Sequence, residues 1–555
     1  MAQNLQNSWP FAMRPLPWCY LVALCACAEG QLDVRLSRWL QATSAVPSQE
    51  AELAEVRREE FSEEGQGVSY TLLSTTAFSL MAVYLVNWND DDVRRYAWDV
   101  ISMALSIFTS LLAFVNLTNW LEGLVNADAD VGVRCMLGYS MFILWFGALL
   151  VAIGFSSGVL CSTIPDEEFE MEDWVVEDEM LTSHKDLVDA SRIVYKRWGR
   201  AIATDDDNHP VFCRQRNLAM EEIEGRMRSL LVFFSHTTAF AATYAGVALM
   251  HVSFFAQNAL CSLLAVVINL LGVFLAFRFA ELFTCRGKME KLVDLFFEAV
   301  DDAEIDVLGL SASYLLVSCL AFGITGMQSN FELYQMPSSL SLNRALAIFA
   351  SGLAILVLSV VLVVTWRRKP NETAWRTKTR ELSQSALSLV FSWCAVRSVQ
   401  WTIVDLCKKQ VVTLLPASLV VLLASALTMS AASFVLILPL DKIEDRVRSL
   451  GGAGRIFKDV IIALGVVVGV SWEPVFNKSV AVAAHSFSNP PVVRLLLSAA
   501  IVLLLLPAWK RFVLTKQISY TETRSERRSR SYLTKDQDVL NPPQSKQEFR
   551  GCGFA

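Results

Sequence analysis

Residues 345–366 read ALAIFASGLAILVLSVVLVVTW, and this run contains no charged side chain before Arg367, Arg368 and Lys369 end it. A helix needs about 20 apolar residues to cross the ~30 Å hydrocarbon layer of a bilayer. The run has that length, and the basic residues after it are typical of a helix that stops in a membrane. It therefore predicts a transmembrane helix.

Ten more stretches have a similar length and a similar apolar content. With 345–366, the predicted spans are 68–88, 98–120, 136–161, 229–250, 257–279, 307–327, 383–406, 411–439, 459–475 and 492–509. Apolar residues make up 54% of the 555-residue chain and charged residues 19%, which is below the charged fraction of about 25% in average soluble proteins. We therefore predict an all-α fold, a polytopic transmembrane helix bundle of about 11 spans.

Two of these spans are weak, because 383–406 contains Arg397 and Asp405 and because 459–475 is short and runs into Pro474. The distribution of Lys and Arg supports both. With 11 spans and an external N-terminus, the short inside connections carry 17 of these residues and the outside connections carry 5. Cytoplasmic loops carry an excess of basic residues, so the count predicts an extracytoplasmic N-terminus and a cytoplasmic C-terminus.

Residues 1–28 have the pattern of a secretory signal peptide. Arg14 precedes an apolar run, and Ala26-Cys27-Ala28 matches a cleavage site made of small residues. An uncleaved membrane anchor is the alternative. Residues 29–66 then form an extracytoplasmic polar arm, and the predicted location is a membrane of the secretory pathway or the plasma membrane.

The longest polar segment, 162–228, separates three spans within 67–161 from eight spans within 229–509. This cytoplasmic loop is acidic in its first half and basic in its second half. Residues 183–200 have the spacing of an amphipathic helix with Lys and Arg on its polar side and Trp on its apolar side, which is typical of a helix on an anionic membrane surface. A helix packed on the bundle itself is the alternative.

Two more polar segments are predicted on the cytoplasmic side. Residues 286–306 form an amphipathic stretch that we expect to dock along the inner face. Residues 510–555 form a cytoplasmic tail whose composition predicts disorder. The basic residues of 510–531 predict contact with anionic lipid. The net charge of −7 comes mostly from acidic loops, so the sequence does not suggest binding to nucleic acid.

Residues 464–480 read LGVVVGVSWEPVFNKSV, and residues 391–401 read FSWCAVRSVQW. Both stretches resemble a group of multi-pass membrane proteins of dinoflagellate algae, in which an apolar helix ends in Gly-x-Ser-Trp-Glu. The matching residues here are Gly469, Ser471, Trp472 and Glu473. The resemblance covers about the last third of the chain. It implies a multi-pass membrane protein and adds no catalytic residues.

Familiar catalytic and cofactor motifs are missing from the sequence. It has no P-loop, no Rossmann glycine pattern, no HExxH and no GxSxG. The 12 cysteines are scattered, mostly in apolar segments, and no CxxC pair is present. The sequence therefore predicts no catalytic residues, no cofactor and no metal site.

Polar side chains inside the predicted spans are the candidate functional residues. They are Arg397, Asp405, His236, Asn269 and Glu473. A charge in hydrocarbon costs at least about 2.5 kcal/mol on insertion scales, so it usually faces the interior of a bundle or an aqueous cavity. Glu473 precedes Pro474, and we expect it at a broken helix end like those that hold ions in transporters. A structural bond between helices is the alternative for each residue.

Two Gly-x-x-x-Gly elements, Gly154/Gly158 and Gly465/Gly469, predict close approach between helices. Packing within one chain is the simpler interpretation, and the sequence does not fix the oligomeric state.

These features indicate a multi-pass integral membrane protein. Transport or channel activity with an unspecified substrate is the first function class. The alternatives are a non-transporting scaffold or sensor that binds partners through 162–228, and an integral-membrane enzyme. A flux measurement separates the first class from the scaffold, which would instead capture a partner through its loop.

Overall fold

The computed structural model describes ten stretches of the chain, all of which belong to one compact unit, residues 67–555. The stretches are 74–125, 130–157, 159–160, 218–283, 290–328, 341–365, 374–409, 417–448, 454–485 and 487–517. The signal peptide, the polar arm, the segment 183–200 and the tail beyond 517 lie outside them.

Within these stretches the regular structure is helical, and no strand is present. The helices are α1 (Ser74–Val86), α2 (Asp91–Leu124), α3 (Val131–Ser156), α4 (Leu218–Met250), α5 (Ala259–Phe283), α6 (Glu290–Thr325), α7 (Leu342–Thr365), α8 (Ala374–Lys409), α9 (Ala417–Arg448), α10 (Gly454–His485) and α11 (Pro490–Ala508). Ten of them, α2 to α11, are long and apolar enough to cross a membrane, while α1 is shorter. The predicted all-α bundle of transmembrane helices is confirmed.

The amphipathic segment predicted at 286–306 is not a separate element. From Glu290 onward it is the first part of α6, which continues to Thr325. No proline interrupts 290–325, so the ladder of backbone hydrogen bonds continues from the charged turns into the apolar ones. In the same way, 218–228 of the predicted cytoplasmic loop is the beginning of α4.

Helix α10 does not end at Pro474, as the sequence suggested, but continues to His485. Proline removes one backbone hydrogen bond, and a transmembrane helix tolerates this where neighbouring helices support it. This helix has such support, because 83% of its most apolar stretch is buried. Glu473 therefore lies inside a continuous helix, and the expected broken helix end is absent.

The last helix also extends further than the sequence predicted. A π-helical segment, Trp509–Leu514, follows α11, and helical backbone continues to Gln517. Trp509 Nε1 donates to Ser102 Oγ at 2.9 Å, and Gln517 Nε2 donates to Asp99 Oδ1 at 2.8 Å. These bonds attach the segment to α2, so residues 510–517 are ordered helix rather than disordered tail.

Five helices, α2, α4, α6, α8 and α10, form a closed ring. In that order each packs against the next, and α10 packs against α2. Successive spans cross a membrane in alternate directions, so these even-numbered helices run the same way. We call this arrangement the helix ring.

The odd-numbered helices α3 to α11 surround the helix ring. Between 61% and 83% of the most apolar stretch of each ring helix is buried, against 17% to 50% for these outer helices. The outer helices expose large apolar side chains such as Leu271 on α5 and Leu503 on α11. Their exposed faces are suited to lipid, because apolar side chains cost nothing in hydrocarbon.

Candidate functional site within the helix ring

A regular ring of five packed helices leaves little space along its axis. Packed helices lie 8–10 Å apart, so five of them in a regular ring have their axes about 7–8 Å from the centre. A helix with its side chains has a radius of about 5–6 Å. In such a ring only a few ångströms would remain along the centre, so the size and polarity of the side chains there decide what fits.

The side of α4 that faces the ring can be read from its contacts. His236 contacts α2, and Gly246 lies against Leu315 of α6. A helix turns by about 100° per residue, so Thr243 lies about 20° from His236 and about 60° from Gly246, between the two contact directions. Thr243 is 1% exposed, and we place it on the ring-facing side of α4.

Helices α2 and α4 are joined by hydrogen bonds between buried polar groups. Ser106 Oγ and His236 Nδ1 are 2.8 Å apart, and Ser110 Oγ donates to the Phe233 carbonyl at 3.1 Å. Both His236 and Ser106 are buried. Serine is accommodated on these helices because its hydroxyl is satisfied by a side chain or a carbonyl of the neighbouring helix.

Arg397 lies where α8 packs against α6. Its Nη2 donates to Ser318 Oγ at 3.2 Å, and its guanidinium carbon is 5.4 Å from the centre of the Tyr314 ring. Trp393, one turn earlier on α8, meets the same ring edge-on with the two centroids 4.9 Å apart. A cation over an aromatic face is stabilised by the ring quadrupole, so Tyr314 and Ser318 hold the charge between two ring helices.

Glu473 faces the ring from α10. Gly465 and Gly469 lie against α2, whereas Val467 packs with Val396 of α8. Four residues of helix amount to a rotation of about 40°, so Glu473 lies about 40° around α10 from Gly469. The rotation is toward the side of Val467. Glu473 therefore points between the directions of α2 and α8. It is 1% exposed.

The residues that carry the resemblance lie at one buried junction. Gly469 touches α2, and Trp472 Nε1 donates to Ser430 Oγ of α9 at 2.9 Å. Ser471 Oγ donates to the Val467 carbonyl within α10 at 2.6 Å. These contacts place this part of α10 between α2 of the helix ring and the outer helix α9.

Other candidate residues lie outside this group. Asn269 on α5 accepts from Tyr139 of α3 at 3.2 Å and donates to the Ala242 carbonyl of α4 at 3.1 Å, so it links two outer helices to the ring. Asp405 is buried near the end of α8. A Cβ on Gly154 would lie 2.8 Å from Leu160, so this glycine accommodates the chain after α3 rather than another helix. Its partner Gly158 lies outside the described residues.

An ion-pair network at one end of the ring was not identified from the sequence. Glu304 of α6 is 2% exposed and pairs with Arg278 of α5 and Lys378 of α8. Lys378 also pairs with Asp301. In the sequence these residues look like ordinary charges that flank apolar runs. Asp301 and Glu304 are three residues apart and so lie on one face of a helix, which is the one signal for a shared partner.

A second polar contact lies at the opposite end. Arg494 of α11 donates to Asn116 of α2 at 2.9 Å and to Asn477 of α10 at 2.7 Å. Asn477 follows the predicted span 459–475 and therefore falls in a predicted outside connection, but it lies within α10 and is 6% exposed. The loop prediction was wrong because the helix crosses Pro474.

No group of three or more His, Cys, Asp or Glu side chains suited to a metal ion occurs among the described residues. No protein-family model, no curated protein and no solved structure matches the chain. Its class therefore rests on its helices: the chain is a multi-pass integral membrane protein.

Proposed function

We propose that the protein is a transporter or channel, and that its path for a small polar or charged solute follows the axis of the helix ring. The observation that carries this proposal is the position of three ionisable side chains. Arg397, His236 and Glu473 are all buried on ring helices. Ionisable groups inside membrane bundles are costly and usually mark substrate or ion pathways.

The contrast between ring and outer helices supports the same function. Buried charge costs free energy in a membrane bundle, and a path for solutes is one function that keeps it there. Rings of charged side chains and hydrophobic constrictions are how channels combine selectivity with gating. The scaffold alternative depends on the loop 162–228, most of which lies outside the described residues.

We also propose the orientation, with a cleaved signal peptide, an extracytoplasmic N-terminus and a cytoplasmic C-terminus in a membrane of the secretory pathway or the plasma membrane. The bases Arg278 and Lys378 at one end of the ring support it, because cytoplasmic ends of spans are rich in Lys and Arg. Contact of 183–200 and 510–531 with anionic lipid, and kinship with the dinoflagellate group, belong to the same proposal.

The test is a flux screen in proteoliposomes with panels of small cations, anions and neutral solutes. We expect solute-dependent flux in the wild type and at least a tenfold loss in Arg397→Leu, with unchanged insertion because leucine favours the bilayer. Arg446→Gln is the matched control, since it removes an exposed guanidinium from the outer helix α9 and should leave flux within about twofold. No flux of any solute, together with partner capture by the loop, would favour the scaffold.

A further inference from the structure

The five contacts around the helix ring differ in extent. Helices α2 and α10 share the largest contact, and the α4–α6 and α6–α8 contacts are also large, whereas the α2–α4 and α8–α10 contacts are the two smallest. We call these two contacts the seams. They divide the described helices into a first bundle, α3 to α8, and a second bundle, which comprises α1, α2, α9, α10 and α11.

The outer helices follow the same division. Helix α3 packs mainly on α4 and α7 mainly on α8, while α5 lies against α4 and α6. In the second bundle α11 packs on α2 and α10, and Phe78 of α1 meets Phe434 of α9 and Trp472 of α10. Helix α9 touches α8 across one seam, but its contact with α10 is larger. Each bundle is therefore packed more extensively within itself than against the other.

Close glycine contacts give a second, independent observation. A Cβ on Gly469 of α10 would lie 2.5 Å from the Ala104 carbonyl oxygen of α2, and one on Gly352 of α7 would lie 2.6 Å from Cys394 Cβ of α8. Small residues let helix backbones approach this closely. Six described glycines would bring a Cβ within 3.4 Å of another helix, and in each case that helix belongs to the same bundle: Gly138, Gly246, Gly309, Gly352, Gly465 and Gly469. The tightest of these joints therefore lie inside the bundles and not at the seams.

Side-chain hydrogen bonds cross the two seams at opposite ends of the ring. At the α2–α4 seam the Tyr244 hydroxyl donates to Glu122, near the C-terminal ends of both helices. At the α8–α10 seam Gln384 donates to Asp459, near the N-terminal ends of both helices. A single hydrogen bond contributes only modestly to stability, so these bonds can hold one arrangement of the bundles without fixing it.

We propose that the two bundles move as rigid bodies, which slide against each other at the seams and so open the helix ring at one end at a time. The inference rests on the proposed function and deepens it, because it makes the protein a transporter with moving bundles rather than a channel of fixed width. Rocking of one bundle against another around a central site is how many transporters give access to alternate sides of a membrane. Here the bond to Glu122 holds one end closed, and the bond from Gln384 holds the other.

Distances between two spin labels test this motion without reference to transport. The labels are attached to ketone side chains introduced at two positions, so that the 12 native cysteines stay in place. One pair joins the bundles, at Leu271 of α5 and Leu503 of α11, and the control pair lies within the first bundle, at Leu271 and Leu353 of α7. All three residues are exposed. In nanodiscs we expect the first pair to give two distances that differ by about 5 Å, the length of one helical turn, and the control pair to give a single narrow peak.

Three variants make the result specific. Glu122→Gln weakens one bond across a seam and Gln384→Ala removes the other, so each should change the ratio of the two distances between the bundles by at least about twofold, which requires only part of the contribution of a hydrogen bond. Trp509→Phe is the control, because it removes a hydrogen bond to Ser102 within the second bundle and should leave the ratio unchanged.

Two results would overturn the inference. One is a distribution between the bundles that is as narrow as that of the control pair and is unchanged by Glu122→Gln and Gln384→Ala. The other is equal broadening of both pairs, since the first bundle would then not be a rigid body.

Flux separates this inference from the function on which it rests. Flux of a solute together with two distances between the bundles supports both. Flux through a protein whose bundles hold a single distance leaves the path in place and rejects the motion. Two distances without flux of any solute reject the proposed function while the motion of the bundles stands.

Discussion

Gly469 of α10 and Ala104 of α2 hold two ring helices in backbone contact, since a Cβ added to Gly469 would lie 2.5 Å from the Ala104 carbonyl oxygen. The same helices meet at Gly465, where a Cβ would lie 2.7 Å from Met103 Cβ. Both positions therefore require glycine, because α2 and α10 lie too close together to leave room for a Cβ. We expect Gly469→Ala to lower stability by about 1–3 kcal/mol, because an overpacked contact must push α10 away.

The controls for this prediction are Gly147→Ala on α3 and Gly272→Ala on α5, where an added Cβ meets nothing within 4 Å. Alanine should be neutral or stabilising there by up to about 1 kcal/mol, since it favours helix. Thermal unfolding in detergent compares the three variants. Equal stability of Gly469→Ala and the controls would refute the close contact of α2 and α10.

Loss of the Ser106 hydroxyl should destabilise the α2–α4 contact. Ser106→Ala leaves the buried His236 Nδ1 without its partner at 2.8 Å, at a cost of about 1–3 kcal/mol. Ser359→Ala on α7 is the matched control, because the Ser359 hydroxyl is fully buried and has no partner among the described residues. That change should be neutral or slightly stabilising. Chemical denaturation of both variants in mixed micelles measures the difference.

The buried carboxylate of Glu304 should matter more than an exposed one. Glu304→Gln leaves Arg278 and Lys378 without the charge they share, and we expect a loss of about 2–3 kcal/mol, reduced from the fully buried case because both bases are partly exposed. Asp91→Asn breaks the exposed pair with Arg94 and should cost below about 1 kcal/mol. The prediction fails if the two substitutions lower the melting temperature equally.

Asn477 should carry no glycan, although Asn477-Lys478-Ser479 is a formal acceptor sequence. Its side chain is buried in α10 and accepts from Arg494, which leaves no extended chain for the transferase. Asn371 should also be unmodified, because its connection is predicted to be cytoplasmic. Peptide mass spectrometry after expression in a glycosylating host tests both sites. A glycan on Asn477 would place it outside the helix, and one on Asn371 would reverse the orientation.

The apolar runs predicted the class of fold and most of the spans, because hydrophobic length is a local property of the chain. Helix ends were less predictable. Pro474 suggested a stop, yet α10 continues to His485, because the packing of neighbouring helices is not visible in a single segment. The prediction likewise treated the charged turns of α6 as a segment separate from the apolar turns that follow them.

The candidate residues could be predicted only in part, because their partners lie on other helices. Buried charge such as Arg397 stands out against an apolar background, but its partners Ser318 and Tyr314 are common residues of a membrane helix. Contacts between elements distant in sequence decide which hydroxyls matter. The closed ring of five helices has no signature in the order of the spans at all.

The measurement that tests the central claim most directly is block of flux by a water-soluble thiol reagent in Thr243→Cys, with Leu271→Cys as the control. Thr243 is buried on the ring-facing side of α4, and Leu271 is 54% exposed on the outer face of α5. If the path follows the ring axis, the reagent should reduce flux at least fivefold in Thr243→Cys and leave Leu271→Cys like the wild type. Flux that proceeds unchanged in the treated Thr243→Cys protein would contradict a path through the helix ring.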